Sequence, residues 1–158
     1  MELKALPLTQ ENFKDYGYVL DSTQEPPMAD NAEFRYWGKV TKLKMGEVVS
    51  TGVLFGHMRE PVVKSLERHL KTPEVMVAYE GDSLICVAKP MANSDKIEDV
   101  RVFVIKQGQA FAMHAGTWHW VPFPTNDKMC KFLVMFASET EANDMDVRNL
   151  PEEIRIFA

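Results

Sequence analysis

The sequence predicts an all-β fold, a jelly-roll β-barrel with one short N-terminal helix, over residues 1–158 as a single domain. Three observations predict it. Short apolar runs bounded by turn residues recur at roughly ten-residue spacing, as strands do in a barrel or a two-sheet sandwich. A chain of 158 residues with 46% hydrophobic side chains is long and apolar enough to bury a core. Between Glu67 and His119 lies a two-part pattern of His, Glu and Gly that needs the mouth of a barrel, and this selects barrel over sandwich.

In chain order, residues 3–6 read as a strand that Pro7-Leu8-Thr9 breaks. Thr9 can cap a short helix to about Tyr16, with Phe13 and Tyr16 on one face and Gly17 ending it. Val19-Leu20 is extended. Residues 21–31 form a loop around Pro26-Pro27, and residues 34–37 and 48–55 are strands. Pro61 opens the approach to the first half of the pattern. Residues 75–79 and 83–88 are continuous apolar runs joined at Gly81, which fits strands buried on both faces. Residues 90–99 are a polar loop, residues 100–105 a strand, and Gln107-Gly108-Gln109 a turn. The chain continues through residues 114–121, a turn at residues 124–127, and a strand at residues 131–136. It ends with a charged, solvated loop at residues 139–144 and a last strand at residues 154–156.

The two halves of the pattern are Glu67-x-His69-x4-Glu74-x6-Gly81 and Gly108-x5-His114-x-Gly116-x2-His119. Residues i and i+2 of a strand share a face, so Glu67 and His69 point together into a barrel while Arg68 points away. Glu74 comes from the next strand, after the turn 70–73. Gly116 shapes the turn that lets His119 reach the same interior point. The pattern is close to the cupin signature, G-x5-H-x-H-x3–4-E-x6-G followed by G-x5-P-x-G-x2-H. Glu67 stands for the first histidine and His114 for the proline. An imidazole and carboxylate set of this kind suits a divalent transition metal ion such as Ni, Zn, Mn or Fe, and the sequence does not choose among them.

Within the cupins the chain resembles the ureidoglycolate lyase (ureidoglycolate hydrolase) family. Leu66-Glu67-Arg68-His69 and Gly116-Thr117-Trp118-His119 carry the resemblance, with Phe13, Tyr16, Gly17, Arg35-Tyr36, Asp146-Val147 and Pro151 in the expected order. Three departures stand out. Glu74-Val75-Met76 replaces a Gln-Ala-Phe run, Trp120 replaces a second histidine, and Phe136-Ala137 replaces Asp-Arg. The first restores the general cupin carboxylate. The other two remove polar groups.

The resemblance implies cleavage of the C–N bond of ureidoglycolate to glyoxylate and urea, in purine and allantoin breakdown, by a homodimer. That reaction needs a base for the hydroxyl proton, an acid for the leaving nitrogen and a Lewis acid on the oxygens. Spacing and resemblance together assign His69, Glu74 and His119 to the metal, with Glu67 as fourth ligand or base. His114 is the second proton carrier. Arg35 binds the substrate carboxylate by two-pronged hydrogen bonding, and Tyr36 and Trp118 help wall the pocket.

Each residue also has a structural reading. His69 and His119 can be satisfied core histidines. Glu67 can be a rim residue paired to a cation, and Glu74 can pair with Arg68 or Lys71. His114 can be a surface imidazole, Arg35 a salt-bridged strand residue, and Trp118 and Trp120 packing.

Composition narrows the classes further. The net charge is 18 − 23 = −5 with no basic run, a poor match to nucleic acid. No apolar run approaches the roughly 20 residues that span a bilayer. Met1-Glu2-Leu3-Lys4 lacks a signal-peptide core, and Cys86 and Cys130 lie in apolar runs as buried free thiols, so a cytoplasmic location is expected. The expected partner is a small-molecule carboxylate substrate. Two other functions remain open: another metal-dependent cupin enzyme (isomerase, decarboxylase or dioxygenase) on a small acid, and a non-enzymatic small-molecule-binding cupin.

Overall fold

A computed structural model describes residues 1–21, 25–91, 96–126 and 128–158. The elements in order are β1 (Glu2–Lys4), β2 (Leu6–Pro7), α1 (Gln10–Phe13), β3 (Gly17–Val19), β4 (Ala29–Asp30), β5 (Arg35–Tyr36), β6 (Val49–His57), β7 (Val62–Arg68) and β8 (Glu74–Glu80). They continue with β9 (Ser83–Ala88), β10 (Arg101–Ile105), β11 (Ala110–Met113), β12 (Trp118–His119), β13 (Phe123–Pro124), β14 (Met129–Ala137), α2 (Thr140–Asn143) and β15 (Asp146–Phe157).

An eight-stranded sheet runs β1-β15-β7-β12-β9-β10-β2, with β13 also paired to β9. Its end strands, β1 and β2, are separated in sequence only by Ala5, and β1 comes back against β10. The sheet is therefore curled into a nearly closed barrel. A second sheet, β3-β11-β8-β14-β6, packs beside it, and β4-β5 is a separate small hairpin. This is the all-β, cupin-type jelly roll that the sequence predicts.

β9 shows why the sequence folds this way. All six of its residues are buried. Ile85 and Val87 face the core shared with the second sheet, beside Phe103, Phe111 and Phe132. Leu84, Cys86 and Ala88 face the other cluster, with Leu66, Trp118 and Ile156. A strand that fills two cores must read as an unbroken apolar run, and this one does. Cys86 and Cys130 are buried and free.

The N-terminal helix forms where expected, but shorter. Thr9 caps it, its Oγ1 accepting from the Asn12 amide at 3.3 Å, and the helix stops after Phe13, whose ring is fully buried against Phe103 and Phe111. Two expectations are corrected. Residues 110–113, not read as a strand, form β11 between β3 and β8. The loop expected at residues 139–144 contains a second short helix, α2. Glu139 enters it in the left-handed region (φ 65°), buried Thr140 donates its hydroxyl to Ala137 O at 2.6 Å, and the Asp144 amide closes the turn onto Thr140 O. That turn is compact, so its polar residues are not all solvated. The loops expected at residues 21–31 and 90–99 and the turn at residues 124–127 fall partly on residues 22–24, 92–95 and 127, outside the described residues.

Candidate functional site

β7 ends on Arg68 and hands His69 to the turn that leads into β8, while β12 lies directly between β7 and β9. His119 is in register with Glu67 on one side and Val87 on the other. Because Val87 faces the shared core, so does His119; its neighbour Trp118, opposite Ala88, is turned into the other cluster. The alternation of one short strand thus separates the site histidine from its flanking tryptophan. Gly116 makes the preceding turn with φ at 87° and donates its amide to His69 O at 2.6 Å, which ties the two halves of the pattern together.

Glu67, His69, Glu74 and His119 converge. His69 Nε2 lies 3.2 Å from Glu74 Oε2, His119 Nε2 lies 2.9 Å from the same oxygen, and Glu67 Oε1 is 3.7 Å from His119 Nε2. His69, Glu74 and His119 are buried, and Glu67 keeps 20% side-chain exposure. A backbone carbonyl orients each imidazole. His69 Nδ1 lies 2.9 Å from Asp144 O and His119 Nδ1 lies 3.0 Å from Thr117 O. A carbonyl only accepts, so Nδ1 carries the hydrogen in both rings and Nε2 faces the cluster.

The electrostatics follow from this crowding. Burial disfavours charge on His119, but the Glu74 carboxylate beside it wins and raises its pKa to about 9. Burial likewise opposes ionisation of Glu74, and the facing His119 and His69 overcome it, lowering its pKa to about 2. His69 is also raised: burial acts against protonation and contact with Glu74 outweighs it. Without a metal, the cluster is a buried carboxylate sharing a proton with two imidazoles.

The same cluster fits a metal ion. The ligand atoms of Glu67, His69 and His119 lie within 4.8 Å of one another. Glu74 Oε2 and His119 Nε2 are buried and, although 2.9 Å apart, make no hydrogen bond of acceptable geometry. A buried carboxylate oxygen and a buried imidazole nitrogen, neither in a hydrogen bond, become a donor set for a divalent cation once the proton they share leaves.

A cavity of about 220 Å³ opens on Glu67, His69 and Glu74. One wall comes from β6 and β14, where Leu54 and Gly52 lie opposite Phe132 and Val134 in the ladder. Phe136, two residues on from Val134, tilts over the His69 ring at 5.8 Å. Glu141 of α2 stands at the rim.

Four residues expected at the site lie elsewhere. His114 packs edge-on against Tyr18 at 4.9 Å, because it directly follows β11, whose Met113 is the residue opposite Glu74. Trp118 is fully buried in the second cluster, under the Arg68 guanidinium at 4.3 Å. Arg35 and Tyr36 sit on the exposed β4-β5 hairpin, with Arg35 paired to Asp30 at 2.9 Å, and neither lines the cavity. The Arg68 or Lys71 partners considered for Glu74 are also taken: Arg68 binds Asp146 at 2.9 Å, and Lys71 Nζ donates to Asn143 O. A larger cleft of about 460 Å³, lined by Tyr18, Met28 and Trp37, lies apart from the cluster.

The sequence reading missed Asp144 and Glu141. Asp144 accepts the Leu70 and Lys71 amides through its two side-chain oxygens at 2.9 and 2.7 Å while its carbonyl holds His69. Only a close pairing of residues 74 apart in sequence reveals this role. The wall had a legible signal, the period-two run Phe132, Val134, Phe136.

A jelly-roll barrel with an inward His, His and carboxylate cluster at its mouth is a cupin. Within that class, the family model described as ureidoglycolate lyase matches residues 1–157, and the chain belongs to the ureidoglycolate lyase family. Ureidoglycolate lyases of Escherichia coli (strain K12 / DH10B), Escherichia coli O157:H7 and Shigella flexneri are each 22% identical over 163 residues, covering 100% of both chains. Among solved structures, a serine-to-alanine mutant of Bacillus subtilis oxalate decarboxylase superposes with a TM-score of 0.45 at 17% identity over 65% of this chain. A second Bacillus subtilis oxalate decarboxylase, described for its Mn(II) centres, gives 0.45 at 16% identity over 80%. This chain spans 24% and 30% of the lengths of those two enzymes. Among the described residues no helix is long and apolar enough to cross a membrane.

Proposed function

We propose that the protein is a metal-assisted ureidoglycolate lyase, cleaving ureidoglycolate to glyoxylate and urea. The observation that carries this reading is the convergence of Glu67, His69, Glu74 and His119 beside one cavity, which the first three line, in a chain of this family. His69, Glu74 and His119 would hold the metal, with Glu67 beside them. When bound, the ion supplies a Lewis acid for the hydroxyl and carboxylate oxygens of the substrate. Glu67, the most exposed of the four, takes the hydroxyl proton and returns it to the leaving nitrogen. Glu74 stays ionised between the two imidazoles, which the Asp144 and Thr117 carbonyls keep facing the centre.

His114, Arg35, Tyr36 and Trp118 take no part in this scheme, because each is held elsewhere. A second reading, a different metal-dependent cupin enzyme on a small acid, is favoured by one observation: no lysine or arginine is among the described residues lining the cavity.

The test is turnover by metal-characterised protein, following glyoxylate and urea together, with His119→Ala as control. Stoichiometric release that the variant loses supports the lyase. No release from protein carrying its metal overturns it in favour of the second reading.

A further inference from the structure

The charged and apolar parts of the cavity are segregated. Glu67, His69 and Glu74 occupy one end. The remainder is Val53, Leu54, Val134, Phe136 and Met145, with Gly52 between them and Glu141 at the rim. Val134 and Phe136 share one face of β14, and Leu54 shares the facing side of β6. Met145 is 43% exposed, so the apolar strip runs from the His69 ring out to solvent, while Val53, next to Leu54 in β6, turns its side chain to the opposite face of the strand. A carbinolamide bound with its carboxylate and hydroxyl at the polar end lays its acyl group on this strip. The terminal amino group of a urea would leave its N–H donors against hydrocarbon there, which costs binding energy, whereas an alkyl group gains it.

We propose that the cavity selects carbinolamides with an apolar acyl group, of the N-acyl-α-hydroxyglycine type, over ureidoglycolate itself. This inference rests on the lyase reading for its chemistry and goes beyond it in substrate class. The reaction is R–CO–NH–CH(OH)–COO⁻ going to R–CO–NH2 and OHC–COO⁻. The C–N bond breaks with its electron pair passing to nitrogen. The hydroxyl O–H bond breaks as the aldehyde C=O forms, and that proton ends on nitrogen. Nothing is oxidised or reduced, and no co-reactant is needed.

The experiment compares kcat/KM of the metal-loaded protein on N-butanoyl-α-hydroxyglycine, N-acetyl-α-hydroxyglycine and ureidoglycolate, each followed by glyoxylate release. The butanoyl compound is expected to exceed the acetyl compound and ureidoglycolate by about tenfold or more. Met145→Gln, at an exposed position that tolerates the change, is expected to narrow that gap by raising the butanoyl KM. Ureidoglycolate as the equal or better substrate overturns the inference and leaves the lyase intact. Should none of the three be cleaved, the lyase reading fails, and binding alone decides the inference. The methyl resonance of Met145 in methyl-labelled protein should shift on titration with butanamide and not with urea. Equal response to the two amides, or response to urea alone, overturns it.

Discussion

Nε2 of His119 lies 2.9 Å from Oε2 of Glu74, with both atoms buried and neither in a hydrogen bond of acceptable geometry. The two are brought together from β12 and β8, which belong to different sheets. In metal-free protein they share a proton, and with a metal present they become ligands. Most of what the site does with pH follows from that competition.

Glu74 is held at about 2 against an ordinary 4.5, so its contribution to stability is present above pH 4.5 and lost as pH falls through about 2. His119 is held at about 9 against 6.5, so its contribution is complete below pH 6.5 and lost as pH rises through about 9. In the metal-free protein the pair therefore stabilises most between these limits. Denaturant titrations of metal-free wild type and Glu74→Gln should differ by roughly 3–5 kcal/mol in that window and converge above pH 9. A difference constant with pH would show that the two groups do not share a proton.

Metal binding must displace that proton. Titrating metal-free protein with Mn, Zn, Ni or Fe(II) near neutral pH should release roughly one proton per ion. The same ion should raise Tm by mass action, about 2.7 kcal/mol at a hundredfold excess over Kd, and a chelator should reverse it. His69→Ala and His119→Ala should each abolish the rise. A rise that survives both substitutions would place the ion elsewhere.

Asp144 positions His69 without touching the centre. Its side-chain oxygens accept two backbone amides of the turn after β7, and its carbonyl accepts from His69 Nδ1. Asp144→Ala should lower metal affinity by about 10–100-fold, with Asp144→Asn recovering part of the loss. Calorimetric metal titration distinguishes this from a stability effect alone, which would leave the affinity of the folded protein unchanged.

Trp118 gives the opposite signature. It is fully buried beside Leu66 with Arg68 over its ring. Trp118→Ala should cost about 3–5 kcal/mol of stability, read by denaturant unfolding. Trp118→Phe, which keeps the core filled, should leave KM unchanged. A KM rise in the Phe variant would return Trp118 to the pocket wall.

The four-residue cluster was legible because strand geometry is local. The i, i+2 pairing of Glu67 and His69, the x6 step from Glu74 to Gly81 and the glycine before His119 all act within one or two turns of chain. β9 was legible for the same reason, since burial on both faces leaves an unbroken apolar run. The second core, by contrast, was not: the same period that aims His119 inward aims Trp118 outward, and only the ladder with Val87 and Ala88 shows that a core lies on each side.

The sequence by itself determined the barrel class, the family resemblance and the four side chains that meet. These depend on short-range periodicity and turn chemistry. Tertiary structure alone decided the rest. It turned His114 to Tyr18, kept Arg35 on an exposed hairpin, and made residues 140–143 a helix whose next residue braces His69. It also assembled an apolar wall from β6 and β14, strands far apart in sequence. Such placements depend on which strands become neighbours, and that is set by the closure of the whole sheet, which no local pattern encodes.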